Sequence, residues 1–167
     1  MLDANTKAMV LEALMDEYKS RAFYRLVLNT FGEIRPFSNI VNAEETHARA
    51  LELLCGHFGI PLPKDDWEKR LEPPSSILEA CQAGVQGEHD NIAMYDRFLR
   101  QTKVPEVLTL FQRLQTASRQ HHLPAFERCV ARGGQFGRGA MPLGRFRADR
   151  PGRHGRLDDG KPGPQHA

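Results

Sequence analysis

The sequence has few cysteines, and their spacing is not typical of a cysteine-bound metal or a disulfide-rich fold. Its 167 residues include three cysteines, and no two of them form a C-x-x-C pair. This pattern excludes a zinc ribbon, a rubredoxin-type site and a disulfide scaffold, and it is typical of a reducing cytosol. We therefore predict that Cys81 and Cys129 are small apolar residues of the core.

Long hydrophobic runs are also missing. No apolar run approaches the ~20 residues of a membrane-spanning helix. Residues 1–5 lack the basic and apolar regions of a secretory signal. We therefore expect no membrane span and a cytoplasmic location. No stretch alternates between apolar and polar residues for long enough to predict a strand, and no internal repeat is visible.

Charge and glycine are distributed unevenly along the chain. Residues 133–167 carry a net charge of +4 and nine of the 14 glycines, whereas residues 1–132 carry a net charge of −2. A stretch so rich in Gly, Arg and Pro cannot bury enough apolar surface to offset its ordering entropy. We predict a folded domain over residues 1–132 and a disordered tail over residues 133–167. Nucleic acid would bind this tail weakly at most.

Apolar residues recur with helical spacing in four segments of the first 132 residues. The first runs from Asn5 or Thr6 to about Thr30, and the second begins at Pro36 and ends before Gly59. A capping box at Ser76 begins the third, and the fourth follows a break at residues 102–105 and ends before Gly133. The sequence therefore predicts an all-α domain.

The connection between the second and third helices is long. Residues 60–75 could reach ~50 Å when extended at about 3.3 Å per residue. A 22-residue helix spans only ~33 Å. The connection is therefore long enough to run the length of a bundle, with Trp67 and Leu71 holding it to the surface. This predicts a ferritin-like four-helix bundle with one long crossover between the second and third helices.

Polar residues interrupt the apolar face of every predicted helix near its middle. Glu44 and His47 are three residues apart, so they project from one face of the second helix, between Ile40 and Leu51. The interruptions on the other three helices are Glu17, Glu88 and His122. An ionised carboxylate needs a partner when it is buried. One polar group or pair per helix at similar heights predicts a metal site bound by Glu17, Glu44, His47, Glu88 and His122. The alternative is a set of structural pairs, such as Glu44 with Arg21 or Arg49.

Several segments resemble a ferritin-like family catalogued as domain of unknown function 2202, which is akin to rubrerythrin and erythrin. The segments that carry the resemblance are residues 16–19, 31–37, 43–47, 80–85, 91–96 and 122–126. The resemblance implies a four-helix bundle with a non-haem iron or manganese site, most simply a di-iron site, although a single metal ion is an alternative.

The fourth helix departs from the pattern of a rubrerythrin-type site. Such a site has a second Glu-x-x-His there, but Arg119 stands three residues before His122, and Asn91 replaces a further carboxylate on the third helix. We therefore expect the ion near Glu88 and His122 to bind more weakly than the ion near Glu17, Glu44 and His47, with waters or Glu127 completing its ligand shell. A mononuclear site is the alternative.

The ligand set predicts one of three functions. The first is a rubrerythrin-like oxidoreductase that reacts with dioxygen or peroxide and takes electrons from an external donor. The second is an iron-binding protein, either a ferroxidase or a bundle stabilised by its metal. The third is a metal-free helical interaction module. The sequence leaves the oligomeric state open, a homodimer included.

Overall fold

The computed structural model describes residues 1–135, and every regular element in this range is helical. An all-α fold is therefore confirmed for the described part of the chain. None of the helices in this range combines the length and apolar character that a membrane span requires. The elements are α1 (Ala4–Phe31), α2 (Phe37–Phe58), a 3-10 turn (Trp67–Lys69), α3 (Ile77–Gln101), α4 (Pro105–Ala117), a π turn (Ser118–His122) and α5 (Leu123–Ala131).

Local sequence signals fix the ends of the helices. The carboxylate of Asp3 accepts a hydrogen bond from the backbone N–H of Thr6 at the start of α1. The hydroxyl of Ser76 accepts one from the backbone N–H of Glu79 at the start of α3, as the predicted capping box requires. Gly59 adopts a left-handed conformation, φ 65°, at the end of α2. All four predicted helices are present, the fourth as α4, the π turn and α5 in direct succession.

Two apolar clusters form the core, and all the long helices contribute to both. The first cluster contains the N-terminal half of α1, the C-terminal halves of α2 and α3, and α4; its largest members include Leu14, Leu51, Tyr95, Phe98 and Phe111. The second contains the opposite halves of α1 to α3 together with α5; its members include Val27, Phe37, Cys81 and Phe126. The predicted polar interruptions fall between these two clusters along every helix.

The connection between α2 and α3 is bound to α1. Ile60 at its start belongs to the first cluster, and Ile77 at its end packs against the second. Between them, Trp67 packs against the first cluster, as predicted. Arg21 on α1 donates to Asp65 at 2.6 Å, and Arg25 donates to Glu68 at 3.3 Å. These ion pairs and the tryptophan hold the connection on the surface of α1.

Two of the three cysteines are paired, which contradicts the predicted free cysteines of a reducing cytosol. Cys81 on α3 and Cys129 on α5 form a disulfide across 48 residues of sequence. Cys55 is buried and free. Cys81 and Cys129 do lie in the second apolar cluster, so their burial was predicted correctly. Their pairing was not, because the spacing of cysteines along a sequence carries no information about which helices adjoin.

The predicted C-terminal tail lies almost wholly outside the described residues. Only Gly133, Gly134 and Gln135 of it are described. Gly134 has φ 75° and lies against α3, where an added Cβ would come within 2.7 Å of the backbone nitrogen of Leu78. A side chain at this position is therefore excluded by both the backbone conformation and the space.

The disulfide predicts a thiol count that differs before and after reduction. In unfolded, unreduced protein, Cys55 alone should react with a thiol reagent, whereas all three cysteines should react after reduction. A Cys81→Ser, Cys129→Ser variant should lose about 4 kcal/mol of unfolding free energy, because the link closes a long loop. Urea unfolding with and without reductant measures this loss of unfolding free energy. Cys55→Ser is the control: it keeps the disulfide, so reductant should still destabilise it. Three reactive thiols without reductant would contradict the pairing.

The contact between α3 and α5 depends on a glycine. A Cβ at Gly84 would lie 2.6 Å from the ring of Phe126, which is fully buried. Gly84→Ala should therefore cost about 1–3 kcal/mol through overpacking. Gly87, one turn later on the same helix, has open space where a Cβ would lie, with no neighbouring atom within 4 Å, so Gly87→Ala should stabilise the protein by up to about 1 kcal/mol. Thermal unfolding measures the stability of the two variants. Equal changes in unfolding temperature would show that the Phe126 ring moves aside freely and would contradict the prediction.

Candidate metal centre

The five predicted ligand residues meet in the layer between the two apolar clusters. Glu17 comes from α1, Glu44 and His47 from α2, Glu88 from α3, and His122 from the π turn. Two groups have ligand atoms within 4.8 Å of one another: Glu17, Glu44 and His47 form the first group, and Glu44, Glu88 and His122 form the second. The side chains are 3–12% exposed. The structure therefore brings all five predicted ligand residues together.

Glu44 belongs to both groups and contributes one oxygen to each. Its Oε2 lies 3.2 Å from Nδ1 of His47, and its Oε1 lies 3.1 Å from Nδ1 of His122. The two imidazole rings are stacked, with centroids 5.5 Å apart. The carboxylate thus lies between the two imidazoles, as a carboxylate shared by two adjacent cation positions would.

The two outer carboxylates are each held by a tyrosine from the opposite helix. Tyr95 on α3 donates to Oε1 of Glu17 on α1 at 2.9 Å, and Tyr24 on α1 donates to Oε1 of Glu88 on α3 at 3.0 Å. The second oxygen of Glu17 lies 3.4 Å from Nδ1 of His47. Both hydroxyls are buried, so the two tyrosines orient the carboxylates from the α1 and α3 side of the bundle.

The environment of His122 fits a cation position. Its Nδ1 is buried and lies 3.1 Å from Glu44 Oε1 and 3.5 Å from Glu88 Oε1, yet it makes no hydrogen bond of good geometry within the described residues. A buried polar atom without a partner is costly. Imidazole nitrogens and carboxylate oxygens together suit iron, manganese and zinc. The donor set is therefore chemically suited to divalent metal ions.

The group is electrostatically coupled. Burial alone would lower the pKa of both histidines, but Glu17 and Glu44 raise the pKa of His47 to about 9, and Glu44 and Glu88 raise that of His122 to about 10. Burial and the neighbouring charge of Glu44 raise the pKa of Glu17 well above its usual value. Burial opposes ionisation of Glu44, but its short contacts with Glu17 and with both histidines outweigh burial and lower its pKa. In the metal-free protein, protons therefore occupy this layer and must leave when a metal binds.

Three further polar residues next to the group were not predicted as parts of the site. Ser118 donates to Oδ1 of Asn91 at 2.8 Å, and Asn91 donates to Asp16 at 2.7 Å. Burial raises the pKa of Asp16 to about 6, although the hydrogen bond from Asn91 acts in the opposite direction. These hydrogen bonds link the π turn, α3 and α1 beside the ligands. The sequence marked Asn91 only as the residue in place of a carboxylate, because the hydrogen bonds depend on which helices adjoin.

The π turn explains the residue pattern of the fourth helix. A π turn has more residues per turn than an α-helix, so the position three residues before His122 turns away from its face, whereas Ser118, four residues before it, stays buried beside it. Arg119, where a rubrerythrin-type carboxylate was sought, is exposed and donates to Asp96 at 3.2 Å. Glu127 is exposed as well, so its predicted role as a substitute ligand is wrong. Pro124 is the second residue of α5, directly after the π turn.

The two arginines named as alternative partners of Glu44 bind other carboxylates. Arg21 pairs with Glu45 and Asp65, and Arg49 pairs with Glu52, so the alternative in which either arginine pairs with Glu44 is wrong. The other histidines of the described residues lie outside the two ligand groups and are exposed: His57, His89 and His121.

Comparison with known proteins identifies a shared fold and no function. No family model and no curated protein matches the chain. The structure is similar to the crystal structure of hypothetical protein MJ0754 from Methanococcus jannaschii DSM 2661. The TM-score is 0.73 at 23% identity, and the match covers 80% of this chain and 84% of that one. The family resemblance inferred from the sequence thus stays a prediction.

The electrostatic coupling predicts that His47 and His122 stay protonated at neutral pH in the metal-free protein. Their pKa values exceed the ordinary 6.5, so the stabilisation they provide is present below about pH 6.5 and lost as the pH rises through about 9 to 10. Glu44→Gln should lower both pKa values, because it removes the carboxylate between the rings. Glu45→Gln, on the exposed neighbouring position, should leave them unchanged. Imidazole NMR signals measure the titrations, and values near 6.5 in the unmodified protein would contradict the coupling.

Proposed function

We propose that the chain is a ferritin-like metalloprotein that binds two divalent ions, iron in the first instance, between its two apolar clusters. The observation that carries this proposal is the position of Glu44, which offers one oxygen to each of two three-residue ligand groups. Glu17 and His47 would complete the first position, and Glu88 and His122 the second.

The proposed topology is a four-helix bundle with a long crossover. The contacts of the α2–α3 connection support it, because Ile60 packs in the first apolar cluster and Ile77 against the second. A connection between these clusters would place α2 and α3 parallel to each other, whereas the short connections on either side favour antiparallel pairs. The structural similarity to MJ0754 supports a shared fold and carries no argument about activity.

The proposed activity is the reduction of dioxygen or peroxide with electrons from an external donor, which makes the protein an oxidoreductase. Iron held by carboxylates and imidazoles supplies redox chemistry toward these substrates when bound. Residues of the described part of the chain would orient the metal ligands and hold protons in this function. Tyr24 and Tyr95 fix the outer carboxylates, and the surrounding apolar clusters limit access of water to them. His47 and His122 hold protons that leave as metal binds.

Metal binding is tested by anaerobic titration with iron(II). The unmodified protein should bind two ions per chain, and Glu44→Gln should weaken both steps at least tenfold because both positions share this residue. Glu17→Gln should weaken one step, and Glu88→Gln the other. The matched control, Glu45→Gln, should bind like the unmodified protein, since its side chain pairs with Arg21 and Arg25. Full binding by Glu44→Gln with unchanged helicity would contradict the proposal.

Reactions of the iron-loaded protein distinguish the proposed oxidoreductase activity from iron storage or structural iron binding. Repeated consumption of peroxide in the presence of an added reductant supports the oxidoreductase. A single oxidation of iron(II) followed by mineral growth supports a ferroxidase, and binding without either reaction supports a structural metal.

A further inference from the structure

An open cleft reaches the two imidazoles from the side of α2 and α5. It has a volume of about 380 Å³, and His47 and His122 form its inner end. The Nδ1 atoms of these histidines face the carboxylates. A molecule in the cleft would therefore contact the same rings that complete the two ligand groups.

The opposite side of the ligand layer is covered. Tyr24 and Tyr95 are 3% and 0% exposed, and their hydroxyls are bound to Glu88 and Glu17. The cleft is therefore an open approach to the ligand layer on the side away from the two tyrosines.

The cleft is much larger than dioxygen or peroxide requires. A water-sized molecule needs about 10–30 Å³. Sites for small organic ligands occupy about 300–1,000 Å³, a range that includes this cleft. Three alanines, Ala43, Ala117 and Ala125, line it and leave this space.

The residues that line the cleft favour an uncharged ligand over an ionic one. Pro36 and Ile40 extend the apolar wall, and Asn39 and the exposed His121 contribute polar groups. No aspartate, glutamate, lysine or arginine is among the described residues that line the cleft. The positive charges of His47 and His122 are already paired with the buried carboxylates of Glu44 and Glu88, so an ionic ligand would lose hydration in the cleft without gaining a free counter-charge.

We propose that this cleft is the substrate site of the candidate metal centre and binds a neutral organic molecule with an apolar body and one hydrogen-bonding group. The description of this molecule as a substrate rests on the proposed function, but its binding does not. Asn39 or His121 bonds its polar group, and the alanines and Ile40 contact its apolar body.

The test compares two probes of similar size, benzyl alcohol and benzoate, on the full chain without metal and after anaerobic loading with iron(II). NMR signals of Asn39 and His121 report binding in the metal-free protein. Benzyl alcohol should shift them saturably, and benzoate should bind at least tenfold more weakly. Equal affinity for the two probes, or no saturable shift with benzyl alcohol, would overturn the proposal without any variant.

Two variants locate the binding. Ala125→Phe should fill the cleft and lower the affinity for benzyl alcohol at least tenfold, and Ala43→Leu provides a second, smaller obstruction. Ala83→Phe places the same ring on an exposed position of α3 and should bind benzyl alcohol like the unmodified protein. Undiminished affinity in both cleft variants would overturn the assignment of the site.

Failure of this proposal is distinguishable from failure of the proposed function. Benzyl alcohol bound in the cleft of a protein that takes up no iron would leave the cleft as a binding site and remove the metal centre. If the protein binds two iron ions but no benzyl alcohol, the metal centre stands and the cleft is not a binding site.

Discussion

The carboxylate of Glu44 between two imidazoles is the interaction around which the middle of the bundle is organised. Burying this group is unfavourable unless both of its oxygens are compensated, and His47 and His122 lie 3.2 Å and 3.1 Å from them. The need to compensate it brings α2 and the π turn together. It also places Glu17 and Glu88 on either side, where tyrosines from the opposite helices hold them. The core is consequently divided into two apolar clusters with a polar layer between them.

The helices and the five polar residues follow from local information in the sequence. Helical period, the capping residue Ser76 and the glycine at position 59 define segments, and a polar residue within an apolar stripe is visible without knowledge of the partner helix. The tyrosine–carboxylate bonds depend instead on which helices adjoin, as does the chain from Asp16 through Asn91. The disulfide between Cys81 and Cys129 has the same origin, and the composition of the sequence pointed away from it.

The π turn is the feature that most changes the interpretation of the sequence. With α-helical spacing, Arg119 takes the place of a ligand three residues before His122, and the fourth helix has a gap. In the wider turn Ser118 is buried beside His122 and bonded to Asn91, while Arg119 faces solvent. Each half of the candidate centre holds two carboxylates and one histidine, but α2 supplies both a carboxylate and a histidine, whereas the π turn supplies a histidine alone. Three carboxylates do not balance the charge of two divalent ions. We therefore expect the second ion to bind more weakly than the first.

The two halves are also secured by different interactions. Arg21 and Arg25 join α1 to Glu45 on α2 and to the connection, and so hold the helices that carry Glu17 and Glu44. The helices that carry Glu88 and His122 are joined by the disulfide, whose cysteines lie seven residues before Glu88 and seven after His122, and by the fit of Phe126 over Gly84. Seven residues are about two helical turns, so the covalent link lies ~10 Å along each helix from the ligand it supports. The position of Glu88 and His122 thus has the covalently linked frame. Such a frame favours metal binding there, because donors that are already in place lose less freedom when a metal binds.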